Sequence, residues 1–124
     1  MQYKYFYGAQ AEQFSFYRIP KALFTEPNFR ELSTDAKVLY GILLDRMSLS
    51  LKNQWLDAQN KVYIIFTVEE IMDALNCANQ KATRLMVELE KQAGLIERKR
   101  QGLGRPNLIY VKNFAATIND KSCE

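Results

Sequence analysis

The stretch Thr67-Val68-Glu69-Glu70-Ile71-Met72-Asp73-Ala74-Leu75-Asn76-Cys77-Ala78-Asn79-Gln80-Lys81-Ala82-Thr83-Arg84-Leu85-Met86-Val87-Glu88-Leu89-Glu90-Lys91-Gln92-Ala93-Gly94 decides the fold. Thr67 and Glu70 have the spacing of a capping box: the threonine hydroxyl accepts from the Glu70 backbone N–H, and the glutamate reaches back to that of Thr67. A helix therefore starts here, with Ile71, Met72 and Leu75 on its apolar side. Asn76-Cys77 breaks it. A second helix is expected from about Ala78 to Ala93, with Gly94 as its left-handed C-terminal cap, and Ala82, Leu85, Met86 and Leu89 share one face of it. Two helices joined by a tight turn make a helix-turn-helix.

Downstream, Leu95–Arg100 and Asn107–Lys112 read as two strands around Gln101-Gly102-Leu103-Gly104-Arg105-Pro106. A basic, glycine-rich hairpin directly after a helix-turn-helix is a wing. Upstream, Ser33 is placed to cap a helix in which Ala36, Leu39, Tyr40, Leu43, Leu44 and Met47 form one apolar stripe. Pro20 to Phe24 suits one short helical turn, and Lys61–Phe66 is a β-branched and aromatic run of strand length. Phe14–Ile19 alternates apolar and polar side chains like an edge strand, whereas 48–61 carries no periodicity. The expected fold class is α+β: a winged helix-turn-helix with a small antiparallel sheet and an aromatic N-terminal arm. The arm covers 1–13, the winged-helix domain 14–114, and 115–124 is a C-terminal tail or the start of a linker.

Composition excludes several classes. At 124 residues there is room for one core. The chain has no histidine, which removes the commonest general base and the Ser-His and Cys-His nucleophile pairs. Adjacent acids such as Glu69-Glu70 point about 100° apart on a helix and suit its positive N-terminal end better than a catalytic dyad. No enzyme activity, cofactor or metal is expected, because two distant cysteines, Cys77 and Cys123, make neither a zinc set nor a disulfide framework; Cys77 reads as a small buried residue. No apolar run approaches the roughly 20 residues that cross a bilayer, and the aromatic, polar start is unlike a signal peptide. A cytoplasmic protein without membrane contact is expected.

The net charge is only +3, but it is unevenly spread. Residues 78–112 hold eight basic side chains against three acidic ones, so the remaining chain is net acidic. Positive charge concentrated on the second helix and wing points to nucleic acid. Asn and Gln can pair with the adenine edge, and Arg or Lys with guanine, when a helix N-terminus enters the major groove. The candidate reading residues are Asn79, Gln80, Lys81, Thr83 and Arg84, with Lys81 and Arg84 foremost. The candidate wing residues are Arg98, Lys99, Arg100, Gln101, Gly102, Gly104 and Arg105, suited to phosphates or the minor groove. Ser33, Thr34 and Lys37 are further phosphate anchors or, equally, an exposed helix cap. A polar helix face alone is more often solvated surface; the order of elements favours DNA.

The same residues carry a family resemblance. The block Tyr5-Phe6-Tyr7-Gly8-Ala9-Gln10-Ala11-Glu12-Gln13-Phe14-Ser15-Phe16-Tyr17-Arg18-Ile19-Pro20-Lys21 is one part of it, followed by Leu32–Gly41, Leu44–Ser50 and Gly94–Gly104. Together they resemble the N-terminal domain of replication initiator protein A, from theta-replicating plasmids of Gram-positive bacteria. The resemblance implies a winged-helix domain that binds double-stranded DNA at repeats in a plasmid origin, usually as a homodimer, and starts replication there without catalysis. It also implies a C-terminal domain, absent from this chain, that engages host replication factors. The aromatic arm packs on its own domain or forms the dimer interface. A winged-helix protein-interaction module and a transcriptional repressor stay open as other functions.

Overall fold

The computed structural model describes residues 2–8 and 13–115. Met1, arm positions 9–12 and tail positions 116–124, Cys123 included, lie outside the described residues.

Helix α1 is the short turn Ala22–Thr25, which buries Leu23, and a single 3-10 turn at Pro27–Phe29 buries Phe29. Helix α2 spans Thr34–Lys52. It begins as its sequence demands: the Ser33 hydroxyl accepts from Ala36 N–H at 3.1 Å, and the Ala36, Leu39, Tyr40 and Leu43 stripe is fully or almost fully buried. The Tyr40 hydroxyl donates to the Lys112 carbonyl at 2.8 Å, and burial pushes its pKa up to about 12. Helix α3 is Val68–Leu75, and the capping box between Thr67 and Glu70 forms in full. Arg46 on α2 adds an ion pair to Glu70 at 3.0 Å, so the start of α3 is tied to α2.

Asn76 in the left-handed conformation makes the turn, and helix α4 follows over Asn79–Val87. The expected helix to Ala93 is α only that far; Glu88–Gln92 forms a π turn, with Ala93 N–H bonded to the Glu88 carbonyl. Gly94, at φ +67°, closes it as the spacing predicts. Strands β1, Ile96–Lys99, and β2, Leu108–Val111, pair antiparallel with Arg98 opposite Ile109. Leu85, Leu89, Leu95, Ile96 and Ile109 join the α2 stripe and Ile71 in one core. The architecture is an α+β winged helix.

Four expectations change. Lys61–Phe66 is not a full strand: only Ile64 pairs with the sheet, exchanging two 2.9 Å bonds with Ile109, while Val62 bridges back to Leu56. Phe14–Ile19 has no strand partner among the described residues. Its end, Arg18–Ile19, instead passes over α2, where a Cβ built on Gly41 would lie 2.8 Å from Ile19 Cγ1 and 2.9 Å from the Arg18 carbonyl oxygen. Its backbone lies against a helix, which offers no ladder of donors and acceptors. Residues 48–61, though without periodicity in sequence, are ordered by local bonds and by the end of α2. α2 extends through Lys52, the buried Ser50 hydroxyl donates to the Tyr63 carbonyl at 2.8 Å, and Asp57 folds a turn by accepting from Gln59 and Lys61 N–H. Cys77 is half-buried against the core rather than buried.

Candidate nucleic-acid interface

Helix α4 starts at Ala78, which offers no side-chain cap, so the amides of its first turn have no side-chain acceptor from that position. Ala82, Leu85, Met86 and Leu89 face the core. With about 100° between successive residues, the opposite line of the helix is Gln80, Arg84, Val87 and Lys91, flanked by Thr83, and all five are exposed. This is the outward face. Asn79 lies at one edge, with the Thr83 hydroxyl 3.5 Å from its Oδ1. Lys81 lies at the other edge, and its ammonium meets Asp35 of α2 at 2.7 Å.

The wing stands beside the start of α4. A cleft of about 420 Å³ between them is walled by Asn79, Arg98, Arg105, Pro106 and Asn107, with Thr67 to Glu69 at its other rim. Gly102 (φ +115°) and Gly104 (φ +78°) turn the hairpin in backbone geometry that a side chain resists. Gln101 is pinned inside the wing, its amide donating to the Pro106 carbonyl at 2.8 Å. Lys99, Arg100 and Arg105 are exposed and, among the described residues, form no ion pair. Arg98 differs. Its guanidinium lies 2.8–2.9 Å from Glu90 Oε1, and its backbone N–H donates to Glu90 Oε2 at 3.0 Å. Desolvation alone would raise the Glu90 pKa, but the Arg98 bonds and charge, with Lys91 nearby, outweigh it and hold the carboxyl below its ordinary value.

The three residues at the start of α2 divide. Thr34 is exposed. Ser33 caps the helix and donates both its N–H and its hydroxyl to Glu88, at 2.8 and 2.9 Å. Lys37 is buried, with its ammonium 4.5 Å from the centre of the Phe24 ring. The structure therefore groups Gln80, Thr83 and Arg84 with the free wing cations, gives Lys81 and Arg98 carboxylate partners, and turns Ser33 and Lys37 inward.

Val87 and Lys91, three and seven residues after Arg84, share the outward face without having been singled out from sequence; a full helical projection of residues 79–92 contains that signal. Leu103 is fully exposed at the wing tip. Among the described residues no helix is long and apolar enough to cross a membrane.

Over residues 15–124 the chain matches the family model described as the replication initiator protein A (RepA) N-terminus. A "41 kDa protein" of Lactobacillus helveticus is 32% identical over 92 residues, which cover 74% of this chain and 26% of that protein, so the chain spans about a quarter of the relative's length. Three solved structures are similar throughout. An "N-Terminal domain of DNA binding protein" is 35% identical with a TM-score of 0.74, covering 98% of this chain and 96% of that one. A "Rep-DNA complex" is 35% identical with a TM-score of 0.74, over 96% and 95% of the two chains. An "MDR initiator" is 38% identical with a TM-score of 0.70, over 98% and 100%. With its winged-helix fold, the chain belongs to the replication initiator protein A N-terminal family.

Proposed function

We propose that this chain binds duplex DNA at repeated sequences in a plasmid replication origin and so begins replication assembly. Helix α4 enters the major groove, where Gln80, Thr83 and Arg84 read base edges with Asn79 at the margin. Lys99, Arg100 and Arg105 meet flanking phosphates, and Gly102 and Gly104 let the wing turn close to the sugar-phosphate strand. Thr34 is a further phosphate contact. The observation that carries this reading is the grouping of amide, hydroxyl and the Arg84 cation on one exposed helix face beside a wing whose Lys99, Arg100 and Arg105 form no ion pair among the described residues. A relative solved as a Rep-DNA complex supports it.

The functional unit is a homodimer. Tyr3, Tyr5, Phe6, Tyr7, Phe14 and Phe16 leave half or more of their accessible surface in water, a large aromatic area that a second copy would cover. Contact with host replication factors is assigned to a C-terminal region of the whole initiator; the chain spans about a quarter of the 41 kDa relative's length.

Fluorescence anisotropy of the chain on repeat-bearing origin DNA and on scrambled DNA of equal length, over a salt series, tests the reading. Tighter binding to the repeats with steep loss in salt is expected. Equal binding would leave a basic surface without sequence reading, and no binding would leave a protein-interaction module.

A further inference from the structure

One cation of the recognition helix is not used by its outward face. Lys81 stands about a quarter-turn from the Gln80–Arg84 line, and its ammonium meets Asp35 Oδ2 at 2.7 Å across the junction of α4 with the first turn of α2. The two side chains stay 43% and 51% exposed, and exposed pairs of this kind are typically worth ~0–1 kcal/mol of stability. Asp35 is not needed to cap α2 either, because the Ser33 hydroxyl already does so. The neighbouring charges are engaged elsewhere: Lys37 on the Phe24 ring and Glu88 on Ser33. Asp35 is thus a half-exposed carboxylate at the edge of the reading face whose structural role is limited to the modest attraction of a first-turn acid for the positive end of α2.

We propose that Asp35 is a specificity-determining residue, holding Lys81 back from indiscriminate phosphate contact and keeping a negative charge where an unregistered DNA backbone would approach. The inference rests on the DNA-binding reading above. Base contacts from α4 hold a cognate duplex in register, so its phosphates sit where the groove places them. A scrambled duplex has no register and settles against whichever cations are free. Sequence-independent affinity grows with each phosphate neutralised, the salt slope changing by about 0.9 per contact. Asp35 takes one such contact away, and the loss falls mainly on the scrambled duplex.

The test uses the whole chain as wild type, Asp35→Asn, Lys81→Gln and the double variant. Each is titrated over a salt series against a duplex that the wild type enriched from a randomised pool, and against its scrambled counterpart. Asp35→Asn is expected to tighten scrambled binding on the order of three- to tenfold, to steepen its salt slope by about 0.9, and to leave the enriched duplex within about twofold. In the Lys81→Gln background the effect should vanish. Equal tightening of both duplexes, no change in either, or an effect that persists without Lys81 overturns the assignment of Asp35 alone. A wild type that enriches no sequence overturns the DNA-reading proposal, and this inference with it.

Discussion

The carboxylate of Glu88 accepts both the backbone N–H and the hydroxyl of Ser33, at 2.8 and 2.9 Å, across 55 positions of sequence. Glu88 is almost fully buried at the first residue of the π turn that extends α4, and Ser33 is the cap of α2. One side chain therefore fixes where α4 lies on the longest helix of the fold. Removing the acceptor strands two half-buried donors, and hydrogen bonds to charged groups are worth about 1.5–3 kcal/mol. Glu88→Ala is expected to lose about that much in urea unfolding and Glu88→Gln less. An unchanged midpoint for Glu88→Ala would show that the bridge does not hold the helices together.

Gly41 tests whether Arg18–Ile19 lies over α2. Inside a helix, exchanging glycine for alanine ordinarily gains about 0.5–1 kcal/mol. Here the added methyl would stand under 3 Å from Ile19 Cγ1 and from the Arg18 carbonyl oxygen. The backbone oxygen cannot turn aside as a side-chain tip can, so the segment must lift. Gly41→Ala is expected to destabilise the chain, overpacking of this kind costing about 1–3 kcal/mol. A gain measured by thermal or urea unfolding would mean the segment packs elsewhere.

The parts of the fold specified by local chemistry were legible in sequence, and those specified by tertiary contact were not. The Thr67–Glu70 box, the left-handed Gly94 and the basic hairpin each depend on a few adjacent residues, so their spacing suffices to read them. Phe14–Ile19 has strand alternation, but its end, Arg18–Ile19, lies against Gly41, a contact between distant positions. Lys61–Phe66 has strand composition, yet only Ile64 reaches the sheet edge at Ile109. The same limit applies at the candidate interface. Residue type placed Lys81 foremost among the base-reading residues, Arg98 in the wing and Lys37 between phosphate anchor and helix cap, and only the fold brings Asp35, Glu90 and Phe24 beside them.

The contact between Arg98 of the wing and Glu90 of the π turn after α4 is expected to weaken in acid. Glu90 titrates below its ordinary value of 4.5, because the bonds and charge of Arg98 outweigh the opposing effect of burial. A carboxylate whose folded pKa is depressed contributes stability above its unfolded value and loses it as pH falls through the folded one. The urea midpoint of the wild type is therefore expected to drop as pH is lowered from about 5 through the acid range. Glu90→Gln should start lower near neutrality and show a shallower acid decline. Parallel curves for the two proteins would remove Glu90 from the account.

Arg84 and Arg105 should separate sequence reading from phosphate attraction. Arg84 lies on the outward face of α4, and Arg105 walls the cleft between that helix and the wing; neither forms an ion pair among the described residues. A two-pronged arginine contact with guanine carries about 1–3 kcal/mol of discrimination, so Arg84→Ala should bring cognate and scrambled affinities together by roughly tenfold or more. Arg105→Ala should weaken both duplexes alike and flatten the salt slope by about 0.9. Arg98→Ala should flatten it less, because Glu90 already neutralises that charge at 2.8 Å. If wing substitutions changed sequence preference while Arg84→Ala did not, the wing would be the reader and α4 the phosphate contact.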